Sequence, residues 1–148
     1  MVTDFKKQGK KNRKKGGEFE RVVRADLEGK GYTVCKWSNN VECTKEDDVN
    51  NPGKKRYKCI RIMPAKHKFN PFNKVMTLGT GFPDFIAFKA INGESGFRIM
   101  GVEAKTNGYL DQEEKAKCRW LVKNNIFNIL YVAKKEKIGG EIKYEEFN

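Results

Sequence analysis

No apolar run in this chain approaches the roughly 20 residues needed to cross a bilayer, and no signal-peptide pattern opens it. The four cysteines, Cys35, Cys43, Cys59 and Cys118, form no CxxC pair and match no zinc-knuckle spacing. They read as reduced thiols of an intracellular (cytoplasmic) protein with no membrane partner. Acidic residues are missing from two places. Residues 5–15 hold seven Lys or Arg and residues 54–74 hold eight, with no Asp or Glu in either stretch. Without those fifteen cations the net charge of +12 becomes slightly negative, so the basicity is confined to two patches.

Such blocks steer polyanions, which points to nucleic acid as the partner. The first patch offers Lys10, Lys11, Arg13, Lys14 and Lys15, and reads equally well as a solvated tail. The second offers Lys54, Lys55, Arg56, Lys58, Arg61, Lys66 and Lys68, with Tyr57, His67, Phe69 and Phe72 among them. Phosphate contacts combined with ring stacking suit a nucleic-acid groove. Neither block has the apolar face of a membrane-surface helix.

At 148 residues the chain suits one domain with a proper core. The composition predicts a disordered basic arm over residues 1–17 and a single domain over 18–148. A helix is expected over 18–28, with Phe19, Val22, Val23 and Leu27 on one face and Gly29 and Gly31 ending it. A strand follows over 32–37. Residues 38–78 read as a long, loop-rich insertion with one short strand over 57–62, and Pro64 and Pro71 argue against a helix there.

Two apolar strands come next, over 85–88 and 97–102, joined by the turn Asn92-Gly93-Glu94-Ser95-Gly96. The second is apolar on both faces apart from Arg98, the pattern of a strand covered on both sides. Asp111 suits an N-cap, with Glu114 as its capping partner, for a helix running to 123 with Trp120 and Leu121 inward. A buried strand over 126–133 and a marginal hairpin over 138–142 complete the chain.

The hairpin formed by the strands over 85–88 and 97–102 would bring Asp84 beside Glu103. Side chains alternate along a strand, so Glu103 and Lys105 share a face and Ala104 takes the other. Two carboxylates and an ammonium at the end of apolar strands favour a divalent cation. On a blander view, Asp84 is a turn residue and Glu103–Lys105 an exposed ion pair.

Pro83-Asp84 followed by Glu103-Ala104-Lys105, preceded by Gly79-Thr80-Gly81-Phe82, resembles the signature of the PD-(D/E)XK nuclease superfamily. The resemblance implies an α/β, restriction-endonuclease-like core, a mixed central β-sheet flanked by helices. It implies Mg²⁺, or Mn²⁺, held by Asp84, Glu103 and the Ala104 carbonyl, with Lys105 beside the attacking water. The implied activity is metal-dependent DNA endonuclease.

Lys15-Gly16 followed by Glu20-Arg21 looks like the archaeal and viral Holliday junction resolvase branch, which implies Glu20 as a further acidic residue and a homodimer. Glu18 is its rival. Gln112, Lys115 and Lys117 are weaker DNA-contact candidates, because the spacing from Gln112 to Trp120 departs from the pattern. The insertion departs from it too, which leaves the preferred DNA structure open. Two other classes fit the sequence: a non-catalytic nucleic-acid-binding module, and a partner-dependent subunit of a DNA-processing complex.

Overall fold

The computed structural model describes residues 2–77 and 81–148. The chain runs α1 (Val2–Gly29), β1 (Thr33–Lys36), β2 (Asn39–Asp47), β3 (Lys55–Pro64), β4 (Lys68–Asn70), β5 (Val75–Thr77), β6 (Phe85–Ala90), β7 (Phe97–Ala104), α2 (Gln112–Lys123), β8 (Leu130–Lys135) and β9 (Ile142–Glu146). Five strands form a mixed sheet in the order β1-β6-β7-β8-β9. β7 and β8 are parallel, with α2 as their crossover, and the remaining pairs are antiparallel. Gly93, at φ 80°, makes the β6–β7 turn. The architecture is α/β, a mixed sheet with two helices.

Each helix covers one face. Phe19, Val23 and Leu27 recur at four-residue spacing on α1 and pack on Val34, Phe85, Ala87, Met100, Val102 and Ala133. On the other face Leu121 and Cys118 of α2 pack with Phe127, Leu130 and Val132. The alternation Phe85/Ile86 and Ala133/Val132 divides each strand between these two cores. α2 begins as expected: Asp111 accepts from Glu114 N at 2.8 Å, and Glu114 accepts from Asp111 N at 2.9 Å.

Several expectations are corrected. Where the composition predicts a disordered arm, α1 continues back to Val2. Lys and Arg are good helix formers, so a polar segment can extend a helix already nucleated by packing. Val22 is 53% exposed, off the buried stripe. In β7 only Met100–Glu103 are buried, and Phe97 and Ile99 face solvent because α2 does not reach that end of the sheet. Helix α2 turns Leu121 fully inward and Trp120 partly.

The insertion is the largest correction. β2 and β3 form a long antiparallel hairpin whose pairing runs from Asn39↔Pro64 to Asp47↔Lys55. Val41 anchors it in the α2-side core. Cys43 and Cys59 form a disulfide across it, so these two are not reduced thiols, while Cys35 and Cys118 remain free. β4 and β5 make a second, short ribbon. No helix among the described residues is long and apolar enough to cross a membrane.

The disulfide spans 16 residues of sequence. Closing a loop of that size stabilises by at most about 3 kcal/mol through the unfolded chain. Reduction is therefore expected to speed amide exchange in β2 and β3 and lower the melting temperature. Unchanged exchange in both strands would show that pairing and Val41 suffice.

Candidate active site

The cavity that matters lies at one end of the sheet, where the β6 entrance, the β7 exit and both helices converge. It measures about 470 Å³, and Glu20, Asp84, Glu103, Lys105, Glu114 and Lys117 are among its lining residues. Gly81 and Phe82 lead into it, and Trp37 N donates to the Asp84 carbonyl at 3.1 Å, tying this turn to the end of β1. Gly81 is obligatory for local space. A Cβ there would lie 1.9 Å from the Trp37 carbonyl oxygen and 2.8 Å from that of Asn39. The neighbouring Gly79 and Thr80 of the sequence signature lie outside the described residues.

Asp84 and Glu103 are buried, at 8% and 5% exposure. Each carboxylate is held by the other strand's backbone. Glu103 Oε2 accepts from Asp84 N at 3.1 Å, and Asp84 Oδ2 accepts from Ala104 N at 2.9 Å. The N–H and C=O of one strand residue leave on the same edge. The Ala104 carbonyl therefore faces the Asp84 side, where Ala104 lines the cavity.

Lys105 Nζ lies 3.5 Å from Glu103 Oε1 and also binds Glu114 Oε1. Across the cavity, Glu20 Oε2 accepts from Lys36 Nζ at 2.7 Å, and Lys36 rests over the Phe85 ring at 5.2 Å.

The electrostatics are those of a site short of positive charge. Burial pushes Asp84 above the ordinary carboxylate range, and the charge of Glu20 adds to this against the Ala104 N–H, Lys36 and Lys105. Burial pushes Glu103 well above its ordinary value, reinforced by Asp84 and opposed by Lys105. Burial works against the Lys105 charge, but its hydrogen bond to Glu114 and the charge of Glu103 overcome it, and its pKa rises. One ammonium thus serves three carboxylates.

No group of three or more His, Cys, Asp or Glu among the described residues is arranged as a metal cage. The donor set is smaller: two mutually repelling carboxylates and a backbone carbonyl. These are hard oxygen ligands, and a divalent cation that keeps most of its waters fits them.

Of the residues expected at the site, Glu20, Asp84, Glu103, Ala104 and Lys105 line the cavity. Glu18 does not; it lines a separate cleft with Lys15, Phe19 and Val22. Of the three α2 candidates only Lys117 reaches the cavity. Gln112 faces a cleft with Lys54, Lys55 and Arg56, and Lys115 lies over the Tyr109 ring at 5.4 Å.

Lys10, Lys11, Arg13, Lys14 and Lys15 are exposed along α1. In the insertion, Arg61 pairs with Glu42 at 2.6 Å, Arg56 with Glu46 at 3.6 Å, and Lys55 with Asp47. Those three cations are partly spent on the hairpin, whereas Lys54, Lys58 and Lys66 are exposed and make no ion pair with a described residue.

Sequence reasoning missed Lys36 and the second role of Glu114. Lys36 closes the first strand on the side facing Glu20, and strand alternation could have raised it. Glu114 was already explained by its cap, so nothing in the sequence asked for a second partner. No protein-family model, curated protein or solved structure matches the chain.

Proposed function

We propose that the protein is a metal-dependent DNA endonuclease of the PD-(D/E)XK type, built on a restriction-endonuclease-like core, and that it acts as a homodimer. One observation carries this reading. Asp84 and Glu103, 19 positions apart, interlock by hydrogen bonds in a cavity that also holds Lys105, and their buried charge calls for a cation. The order helix, strand, insertion, strand, strand, helix, strand agrees with it.

Asp84, Glu103 and the Ala104 carbonyl would hold Mg²⁺ or Mn²⁺, which when bound supplies Lewis-acid polarisation of a phosphate and activation of water. Without a metal, Glu114 and Glu103 raise the pKa of Lys105 against its burial. Its part would be to orient the water by hydrogen bonds and offset charge developing on the phosphate. Glu114 holds its ammonium in place. Glu20 holds Lys36 in an ion pair and adds negative charge that favours cation uptake. The exposed cations of α1, with Lys54, Lys58 and Lys66, supply salt-sensitive attraction to the DNA backbone.

The test is cleavage of a four-way junction, a flap, a linear duplex and a single strand of matched sequence, with Mg²⁺ or Mn²⁺. Wild type is expected to cut at least one, and Asp84→Ala to lose about 10³-fold or more in rate. Binding without cutting on every substrate and with either metal would overturn the nuclease reading in favour of a recognition module.

A further inference from the structure

A second cavity of about 450 Å³ opens beside the first. Asn40, Glu113 and Lys117 line both, so the two adjoin as a trough with these side chains between them. Its far wall carries Lys66 and Lys68. Lys117, on the shared wall, lies 2.9 Å from Glu113 and leans over the Phe82 ring at 5.7 Å. Beyond Lys66 the chain enters the β4–β5 ribbon, paired at Lys68↔Thr77, Phe69↔Met76 and Asn70↔Val75.

That ribbon shows an unusual amount of apolar surface to water. Phe72, at its turn, is 97% exposed, and Phe69, Val75 and Met76 are all more than half exposed. Asn70 Oδ1 accepts from Phe72 N at 3.0 Å, so the turn is organised while its ring touches no core. Leaving such rings in water forfeits the burial energy they could gain. The surroundings limit what could cover them. Residues 65–77 carry Lys66, His67, Lys68 and Lys74 and no acid. A nucleic-acid strand meets both demands, with phosphates for the cations and base faces for the rings.

We propose that the trough leads one unpaired DNA strand from the Asp84–Glu103 cavity past Lys117, Lys66 and Lys68 to the β4–β5 ribbon, where Phe69 and Phe72 stack on its bases. The inference rests on the nuclease reading and narrows its substrate to DNA with an unpaired strand beside the cut. In a continuous duplex the base faces are already stacked on each other, and reaching them costs the unstacking energy. In a frayed, flapped or branched DNA they are free.

The test is equilibrium binding of the full chain by fluorescence anisotropy in EDTA, so that nothing is cut. The probes are a blunt duplex, a fork of the same sequence with an unpaired arm, and the single strand alone. Wild type is expected to bind the fork about tenfold more tightly than the duplex. Phe69→Ala with Phe72→Ala should erase that preference while leaving duplex affinity within about twofold, and Phe72→Trp should retain it, because a larger ring still stacks.

Equal weakening on fork and duplex, or no weakening, would overturn the proposal. So would a wild-type dimer that the Phe72→Ala change dissociates without altering arm preference, since the rings would then serve self-association. Failure here is distinguishable from failure of the nuclease reading. Arm preference is measured without metal or cutting, and cutting is measured separately on every substrate.

Discussion

Glu103→Gln is expected to abolish metal-dependent cleavage, by about 10³-fold or more, while making the metal-free protein more stable at neutral pH. The amide keeps an oxygen to accept from Asp84 N, so the interlock of the two strands survives. It lacks the charge a metal needs. The stability gain follows from proton linkage. The folded-state pKa of Glu103 lies well above its ordinary 4.5, chiefly through burial and the Asp84 charge. Between those two values the folded protein binds more protons than the unfolded chain, and stability falls as pH rises through that window. Asp84 is shifted the same way.

The melting temperature of metal-free wild type should therefore drop as pH rises above the ordinary carboxylate range, and that of Glu103→Gln should drop less. Mg²⁺ should reverse the loss in wild type alone. At a hundred times its dissociation constant it would add about 2.7 kcal/mol, roughly 8 °C for a chain of this length. A Glu103→Gln protein that still cuts, or whose melting falls with pH as steeply as wild type, would remove the buried carboxylate pair from the account.

Gly81→Ala is the second large effect expected. A methyl group placed 1.9 Å from the Trp37 carbonyl oxygen cannot be accommodated by a side-chain rotation, because the obstacle is backbone. The same backbone accepts from Phe82 N through Asn39 O at 2.8 Å and ties Trp37 N to the Asp84 carbonyl. Relief must come from moving the β1–β2 connection away from the entrance of β6. Overpacking of this kind costs about 3 kcal/mol or more, and it displaces Asp84 from Ala104. Denaturant melting and cleavage should both suffer. Gly96→Ala, whose new methyl would meet only Ile91 Cδ1 at 3.9 Å, is the control. A Gly81→Ala protein as stable as that control would show that the turn yields easily.

The carboxylate pair was legible in the sequence because each half sits at the end of an apolar run, and the turn between them carries Asn92-Gly93. The start of α2 was legible for the same kind of reason, since a cap is a local chemical arrangement and Asp111 and Glu114 are three residues apart. The β2–β3 hairpin was not. Its strands are held by cross-strand charge pairs, such as Glu42 with Arg61 and Glu46 with Arg56, and by the Cys43–Cys59 bond. Alternation of apolar and polar residues, the signal that reveals a half-buried strand, is weak where both faces carry charge. The first half of α1 was hidden likewise. A helix segment with no buried stripe leaves no periodicity to read.

That half of α1 has a mechanical consequence. The helix is fixed to the sheet only from Phe19 onward, while residues 5–16 are almost wholly exposed. Residues 2–17 thus form an overhanging beam about 24 Å long, and its root is Gly16-Gly17, where no side chain braces the turn and a Cβ would meet nothing within 4 Å. A bend of about 20° at such a glycine pair swings the tip through about 8 Å. The seven cations of residues 5–15 ride on that lever arm, so a small deflection at the cavity's edge, where Gly16 lies, is magnified into a wide sweep of positive charge.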